Sequence, residues 1–222
     1  WFSGKINGCQ TCLVSTRTHS KNKSNNPDYF PYFCKKSTQV GSKNKLKRFN
    51  ENNTFHNVFQ PKREELVDAV YPLKGQWNQQ FFKNNNPLVL ELGCGKGEYT
   101  VGLAERYPNK NFIGIDIKGA RFWRGAKTAI ENKMPNVAFI RAQIELIEEL
   151  FASNEVDEIW ITFPDPQIKY KRTKHRMTNA TFLKRYKNIL NDAGIVHLKT
   201  DSEFMHGYTL GLLHGQGHEV QY

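Results

Sequence analysis

The segment Leu88-Val-Leu-Glu-Leu-Gly-Cys-Gly-Lys-Gly97 is the strongest constraint on how this chain can fold. A largely apolar run of five residues reads as a buried parallel strand. The alternate glycines after it let the backbone turn sharply and approach a ligand where any Cβ would collide. In a parallel sheet such a turn lies at the carboxyl edge, where ligands bind.

Hydrophobic periodicity extends the pattern. Strands are predicted over 88–92, 111–116, 137–141, 158–163 and 194–200, with helical stretches over 98–107, 119–132, 145–151, 179–190 and 202–214 between or after them. Such alternation demands an α/β fold: a doubly wound, mostly parallel sheet with helices on both faces. Residues 218–222 read as the start of a further strand, so the sheet is expected to be truncated at the C-terminus.

Three regions are expected. Residues 1–42 are rich in Ser, Asn, Lys and Thr without sustained periodicity, as in a disordered leader or an artefactual extension. Residues 43–60 form a basic arm, Lys43-Asn-Lys-Leu-Lys-Arg48 followed by Phe49, Phe55 and Phe59, which either touches nucleic acid or is a solvated tail pinned by its aromatics. Residues 61–222 make the α/β domain, opening with a helix over 62–71 and reaching its core at about Pro87.

The 222 residues suffice for one sizeable core, and the formal charge of +11 points to an acidic partner, nucleic acid foremost. Part of that charge lies in residues 1–40, where six basic residues face Asp28 alone. No apolar stretch approaches the roughly 18 residues of a membrane span. The four cysteines suggest no disulfide framework. A soluble, cytoplasmic protein is expected, without metal: Cys9, Cys12, His19 and Cys34 lack the second close pair of a zinc site.

Gly93-Cys-Gly-Lys-Gly97 is followed by Glu98, where dinucleotide-binding turns prefer glycine. A carboxylate in the first helical turn competes with a pyrophosphate for the same N–H groups. A cofactor without phosphates fits better, and S-adenosyl-L-methionine is one. Glu91 is placed to face its amino group or sulfonium, or is simply held by local N–H groups. Asp116 ends the second strand, where an acid accepts ribose hydroxyls. Gln143 follows the third strand, within reach of an adenine edge or of solvent.

The fourth strand runs into Phe163-Pro-Asp-Pro166. Flanking prolines hold Asp165 out of helix and keep it still, as catalysis by orientation requires. Lys169-Tyr-Lys-Arg-Thr-Lys-His-Arg176 follows, a solvated face or a phosphate clamp with Lys169 nearest the reacting base. Asp201 ends the fifth strand at the same mouth.

From Lys43 onward the chain resembles the bacterial tRNA (guanine-N7-)-methyltransferase family. The likeness rests on Lys43-Asn-Lys-Leu-Lys-Arg-Phe49, Glu91-Leu-Gly-Cys-Gly-Lys-Gly97, Gly114-Ile-Asp116, Phe163-Pro-Asp-Pro166 and His197-Leu-Lys-Thr-Asp201. It implies a Rossmann-like fold and methyl transfer from S-adenosyl-L-methionine to N7 of guanine 46 in the tRNA variable loop. By position, Glu91, Gly93, Gly95, Gly97, Asp116, Gln143 and Asp165 would line the cofactor side, Asp165 would be catalytic, and Lys169 and Asp201 would meet the substrate. Gln143 stands where the family commonly has Asp, and Gln167 where Trp is frequent. The Thr-x-x-Glu substrate motif that the resemblance leads one to expect nearer the C-terminus is absent, the sequence stopping at Tyr222. Another S-adenosylmethionine-dependent methyltransferase and a catalytically incomplete tRNA-binding fragment are the alternatives, and monomer or homodimer is left undecided.

Overall fold

A computed structural model describes residues 5–6, 10–16, 43–218 and 220–221. Nine strands are present among them: β1 (Lys5–Ile6), β2 (Gln10–Thr16), β3 (Val58–Phe59), β4 (Leu88–Leu92), β5 (Asn111–Ile115), β6 (Val137–Ile140), β7 (Val156–Thr162), β8 (Leu190–Thr200) and β9 (Val220–Gln221). The α-helices are α1 (Lys43–Glu51), α2 (Arg63–Val67), α3 (Glu98–Arg106), α4 (Gly119–Glu131), α5 (Ile147–Leu150), α6 (Ala180–Ile189) and α7 (Glu203–Gly215).

The sheet order is β1-β2-β8-β7-β4-β5-β6-β3, with β9 paired to β2. All pairings are parallel except β1 with β2. From β4 the chain moves outward through β5 and β6, then returns to lay β7 on the other side of β4. That reversal opens a crevice at the carboxyl ends of β4 and β7, the switch point of a doubly wound sheet. The register aligns Leu92 with Ile161, so the two tips adjoin at the same edge.

Both sheet faces are covered, which is why β4, β5 and β6 are buried along their whole lengths. Leu88, Leu90 and Leu92 pack with residues of α5, α6 and α7, including Leu150, Tyr186 and Leu213. Val89, Phe112 and Phe139 pack with α3 and α4 through Leu103, Phe122 and Ala126. Gly97, Gly114 and Gly125 allow this second layer to close. A Cβ at Gly97 would lie 2.5 Å from the Phe139 ring, and one at Gly125 would lie 2.8 Å from the Lys96 carbonyl.

The segment before residue 87 departs from expectation. The 43–60 arm is part of the fold: α1 packs on α4, and β3 joins β6 at the sheet edge. Two buried asparagines secure it, Asn52 donating to the Gly119 carbonyl at 2.9 Å and Asn57 to that of Ala126 at 3.2 Å. Leu66, Trp77 and Phe82 belong to the main core. Trp77 is fully buried, donates its indole N–H to the Leu150 carbonyl at 3.0 Å and stacks on Phe151. The core thus begins well before Pro87. Polar neighbours such as Gln76, Asn78 and Gln79 hide Trp77 from a periodicity search, and residues 77–82 form a π-helical turn, a rare geometry. Within 1–42, Lys5–Ile6 and Gln10–Thr16 run as strands, where no regular structure was expected; the rest of that segment lies outside the described residues. The helix expected over 62–71 is confined to α2.

Candidate active site at the strand tips

The turn after β4 uses left-handed backbone three times, with φ of 73° at Gly93, 56° at Gly95 and 74° at Gly97. The N–H groups of Gly93 and Cys94 both reach the Ile115 carbonyl, at 2.8 and 3.1 Å, which ties the turn to the tip of β5. The glycines serve different ends. Gly97 is glycine because of the core behind it, whereas a Cβ at Gly95 would meet nothing nearer than the Gly93 carbonyl at 4.0 Å, so open space lies against that residue.

Asp116 is buried, and its carboxylate is oriented from two sides. The Gly95 N–H donates to Oδ2 at 3.0 Å and the Lys118 N–H to Oδ1 at 2.8 Å. Each oxygen retains acceptor capacity for a ligand diol. These features fit a nucleoside cofactor: a glycine cradle that a side chain would fill, a fixed acid beside it, and an exposed Glu98 where phosphate would need to sit.

Glu91 is only 4 % exposed. Thr162 donates to its Oε1 at 2.6 Å, and Thr100 donates to Oε2. Thr100 belongs to α3 and Thr162 to β7, so the carboxyl stitches both walls of the crevice together. Burial raises its pKa to about 7, against the smaller opposing pull of the two hydroxyls. The partners are the two hydroxyls together with the Thr100 backbone, so the backbone support considered from sequence is present as one part of the set. Burial likewise pushes the Cys94 thiol well up, so it stays protonated and is no nucleophile.

Gln143 is exposed just after β6, and its Oε1 accepts from Arg63 Nη1 at 2.6 Å. That pairing joins α2 to the crevice wall and leaves the amide N–H₂ as the group able to meet a ligand.

Across the crevice, Asp165 is exposed and lies in a tight turn in which the Gln167 N–H donates to its Oδ1 at 3.1 Å. The residues bracketing it, Phe163 and Gln167, both hold φ at 48°, an uncommon conformation for side chains of this size. Asp165, Lys169, Lys171 and Arg172 line an open depression of about 430 Å³ with Pro166, Gln167 and Ile168. Lys169 and Asp201 are exposed at the same carboxyl edge, Asp201 directly after β8.

The basic run does not present a uniform face. Arg176 turns inward and is 6 % exposed. Its Nε and Nη2 donate to the Gln167 carbonyl at 3.2 and 3.1 Å, and Nη2 also reaches that of Ile168 at 3.2 Å. The guanidinium packs over Phe204 and Tyr208 of α7, 4.8 and 4.4 Å from their ring centroids. Sequence placed it with the clamp; the structure makes it the support that holds the Asp165 loop. Met177 reaches back over the glycine turn, with Sδ 3.8 Å from a Cβ built on Gly93. Neither role has a signal in spacing, because each is set by contacts between distant segments.

Residues 85–217 match a family model described as "Putative methyltransferase". Over 183 residues, 82 % of this chain and 82 % of the relative, the sequence is 75 % identical to the tRNA (guanine-N(7)-)-methyltransferase of Christiangramia forsetii. The chain belongs to the tRNA (guanine-N7-)-methyltransferase family. Other members of this methyltransferase family similar to it are those of Bacteroides fragilis, at 49 % identity over 81 % of this chain and 71 % of that one, and Listeria monocytogenes, at 38 % over 70 % and 74 %. Among solved structures, the aminoglycoside resistance methyltransferase NpmB1 aligns with a TM-score of 0.49 at 18 % identity, covering 67 % of this chain and 71 % of that one. Within this family member no helix among the described residues is long and apolar enough to cross a membrane, and no cluster of metal-ligating side chains is found there. The side chains of Cys9, Cys12, His19 and Cys34 lie outside the described residues.

Proposed function

We propose that this protein transfers a methyl group from S-adenosyl-L-methionine to N7 of a guanine in tRNA, with guanine 46 of the variable loop as the target. The observation that carries this reading is the apposition of the Gly93–Gly97 turn and Asp165 on the adjoining tips of β4 and β7, in a chain of this family.

The bound cofactor supplies an electrophilic methyl on a cationic sulfur. The rest is positioning. Asp116 would receive the ribose hydroxyls, the Gly95 surface would admit the nucleoside, the Gln143 amide would meet the adenine edge, and Glu91 would lend negative charge toward the cationic end; the fixed Asp116 carboxylate, the open space at Gly95 and the free amide N–H₂ of Gln143 support this. N7 of guanine carries a free lone pair at neutral pH, so displacement at the methyl, with the sulfur as leaving group, would need no general base from the protein. The purine gains positive charge in that step. Asp165 accepts from the N–H edge of the base and places a carboxylate near the developing charge, which favours the transition state over the ground state. Lys169 and Asp201 meet the target nucleotide from the two flanking strand tips. Extracting the base from its stack costs a few kcal/mol, which phosphate contacts on the basic loop offset.

Nucleoside mass spectrometry of tRNA incubated with the protein and labelled methyl donor tests the assignment, and labelled 7-methylguanosine is expected. Asp165→Ala should lower kcat/KM by about 100-fold, roughly 2.7 kcal/mol. A loss within about threefold would remove Asp165 from the catalytic role.

A further inference from the structure

Lys118, Arg121, Arg124 and Lys127 recur at every third position through the start and middle of α4, so each neighbours the next along the helix. Helix α1 lies against this helix and adds Lys45, Lys47 and Arg48. The Arg48 guanidinium sits 4.6 Å from the centroid of the Trp123 ring, the Lys127 ammonium 5.2 Å and the Arg124 guanidinium 5.7 Å. Three cations therefore share one indole. Glu51 accepts from Trp123 Nε1 at 2.9 Å and lies 3.6 Å from the Lys127 ammonium. Lys45, Lys47, Lys118, Arg121 and Arg124 are exposed. Like charges gathered this densely repel one another and oppose folding, unless a polyanion neutralises them.

The stripe is continuous with the crevice. The Lys118 N–H bonds the carboxylate of Asp116, and Arg121 lies in the first turn of α4. From there the helix leads away for about 20 Å. On the other rim of the crevice stands the loop of Lys169, Lys171 and Arg172. A nucleic-acid strand lying on both would pass over the glycine turn and Asp165.

We propose that the α1/α4 face is a second RNA-docking surface, gripping tRNA phosphates on the cofactor side of the crevice while the basic loop grips them on the other. This deepens the reading of the site as a tRNA methyltransferase and rests on it. An anionic membrane is the lesser match, because Leu46 is the one large apolar side chain exposed on the described part of α1, too little for interfacial insertion.

The test is a fourfold variant, Lys45→Gln, Lys47→Gln, Arg121→Gln and Arg124→Gln, with tRNA affinity measured by filter binding across a salt series and without turnover. Each phosphate contact contributes about 0.7 to 0.9 to the slope of log K against log salt. The slope should fall by about three and Kd at ~150 mM salt should rise more than tenfold. Arg121→Lys with Arg124→Lys keeps the charge and should keep the slope, which separates charge from folding. A fourfold variant that melts like the parent yet binds tRNA within twofold at an unchanged slope overturns the surface. So does weaker binding to phosphatidylserine vesicles with tRNA affinity intact. Because binding is read without methylation, a parent protein that forms no 7-methylguanosine would overturn the proposed reaction and leave this measurement to decide the surface by itself.

Discussion

The Arg176 guanidinium donates twice to the carbonyl of Gln167, two residues past Asp165. Those bonds tie the proline-flanked loop to a buried group on the far side of the basic run, where Phe204 and Tyr208 clamp it. Arg176→Lys cannot reproduce the fork, and Arg176→Ala leaves two carbonyls short of donors. The alanine variant should lose about 2 to 4 kcal/mol of stability in denaturant titrations, and both variants should lose methylation even at temperatures where they remain folded. A lysine variant with parental kcat would show that the loop holds its shape without this support.

Gly95 and Gly97 should respond differently to alanine. At Gly97 the added methyl meets the Phe139 ring at 2.5 Å and left-handed backbone as well, so chemical denaturation should report a loss of at least 2 to 3 kcal/mol. At Gly95 only the backbone cost applies, about 1 kcal/mol, and the methyl takes up open space that the proposed reading gives to the nucleoside. Calorimetry should therefore find S-adenosylmethionine binding weakened far more than stability at Gly95. Equal damage to both properties at both positions would mean that the turn does not face a ligand.

Glu91 predicts a pH dependence. Its folded-state pKa of about 7 stands above the ordinary 4.5, so the folded state holds the proton longer than the unfolded chain. The contribution to stability is complete below about pH 4.5 and is lost as pH rises through about 7, to an extent of order 3 kcal/mol. Glu91→Gln keeps hydrogen-bonding capacity toward both threonines and should raise the melting temperature at pH 8 relative to the parent, with little change at pH 5. A cationic ligand favours the carboxylate, so cofactor affinity should increase from pH 6 to pH 8 in the parent and stay flat in the variant. Parallel melting profiles for the two proteins would remove the titration from this residue.

Glu158 gives the opposite slope. Although burial alone would raise its pKa, hydrogen bonds and charge from His197 and Lys110 outweigh that and bring it down to about 2. The His197 ring Nε2 lies 3.3 Å from Glu158 Oε2, yet burial lowers the His197 pKa, so Lys110 is the cation of the group at neutral pH. Stability from Glu158 is present above about pH 4.5 and lost as pH falls toward 2. Glu158→Gln should flatten the acid limb of a pH-unfolding curve, and an unaltered midpoint would count against the pair.

Strands β4, β5 and β6 were legible because they are buried along their whole lengths, and β7 and β8 through their apolar stretches; β4, β5, β7 and β8 each lead into a chemical signature, respectively the glycine turn, Asp116, the Pro-Asp-Pro segment and Asp201. Helices α3, α4, α6 and α7 follow their periodicity within a residue or two for the same reason. What sequence did not reveal depends on distant partners. Trp77 sits among polar residues that have no period, Arg176 looks like one more surface cation, and the 43–60 segment resembles a tail because its asparagines bond carbonyls 67 and 69 residues away. At the candidate site, the position of Glu91 on the strand before the glycines was readable, but its hydroxyl partners lie on two other elements.

The groups proposed to orient the reacting atoms sit at the tips of the strands, whereas the cations proposed to hold the nucleic acid sit on an exposed loop and two outer helices. Exchanging those outer cations should redirect the enzyme toward a different RNA while leaving its alkylation chemistry intact, so address and reaction are separately evolvable in this architecture.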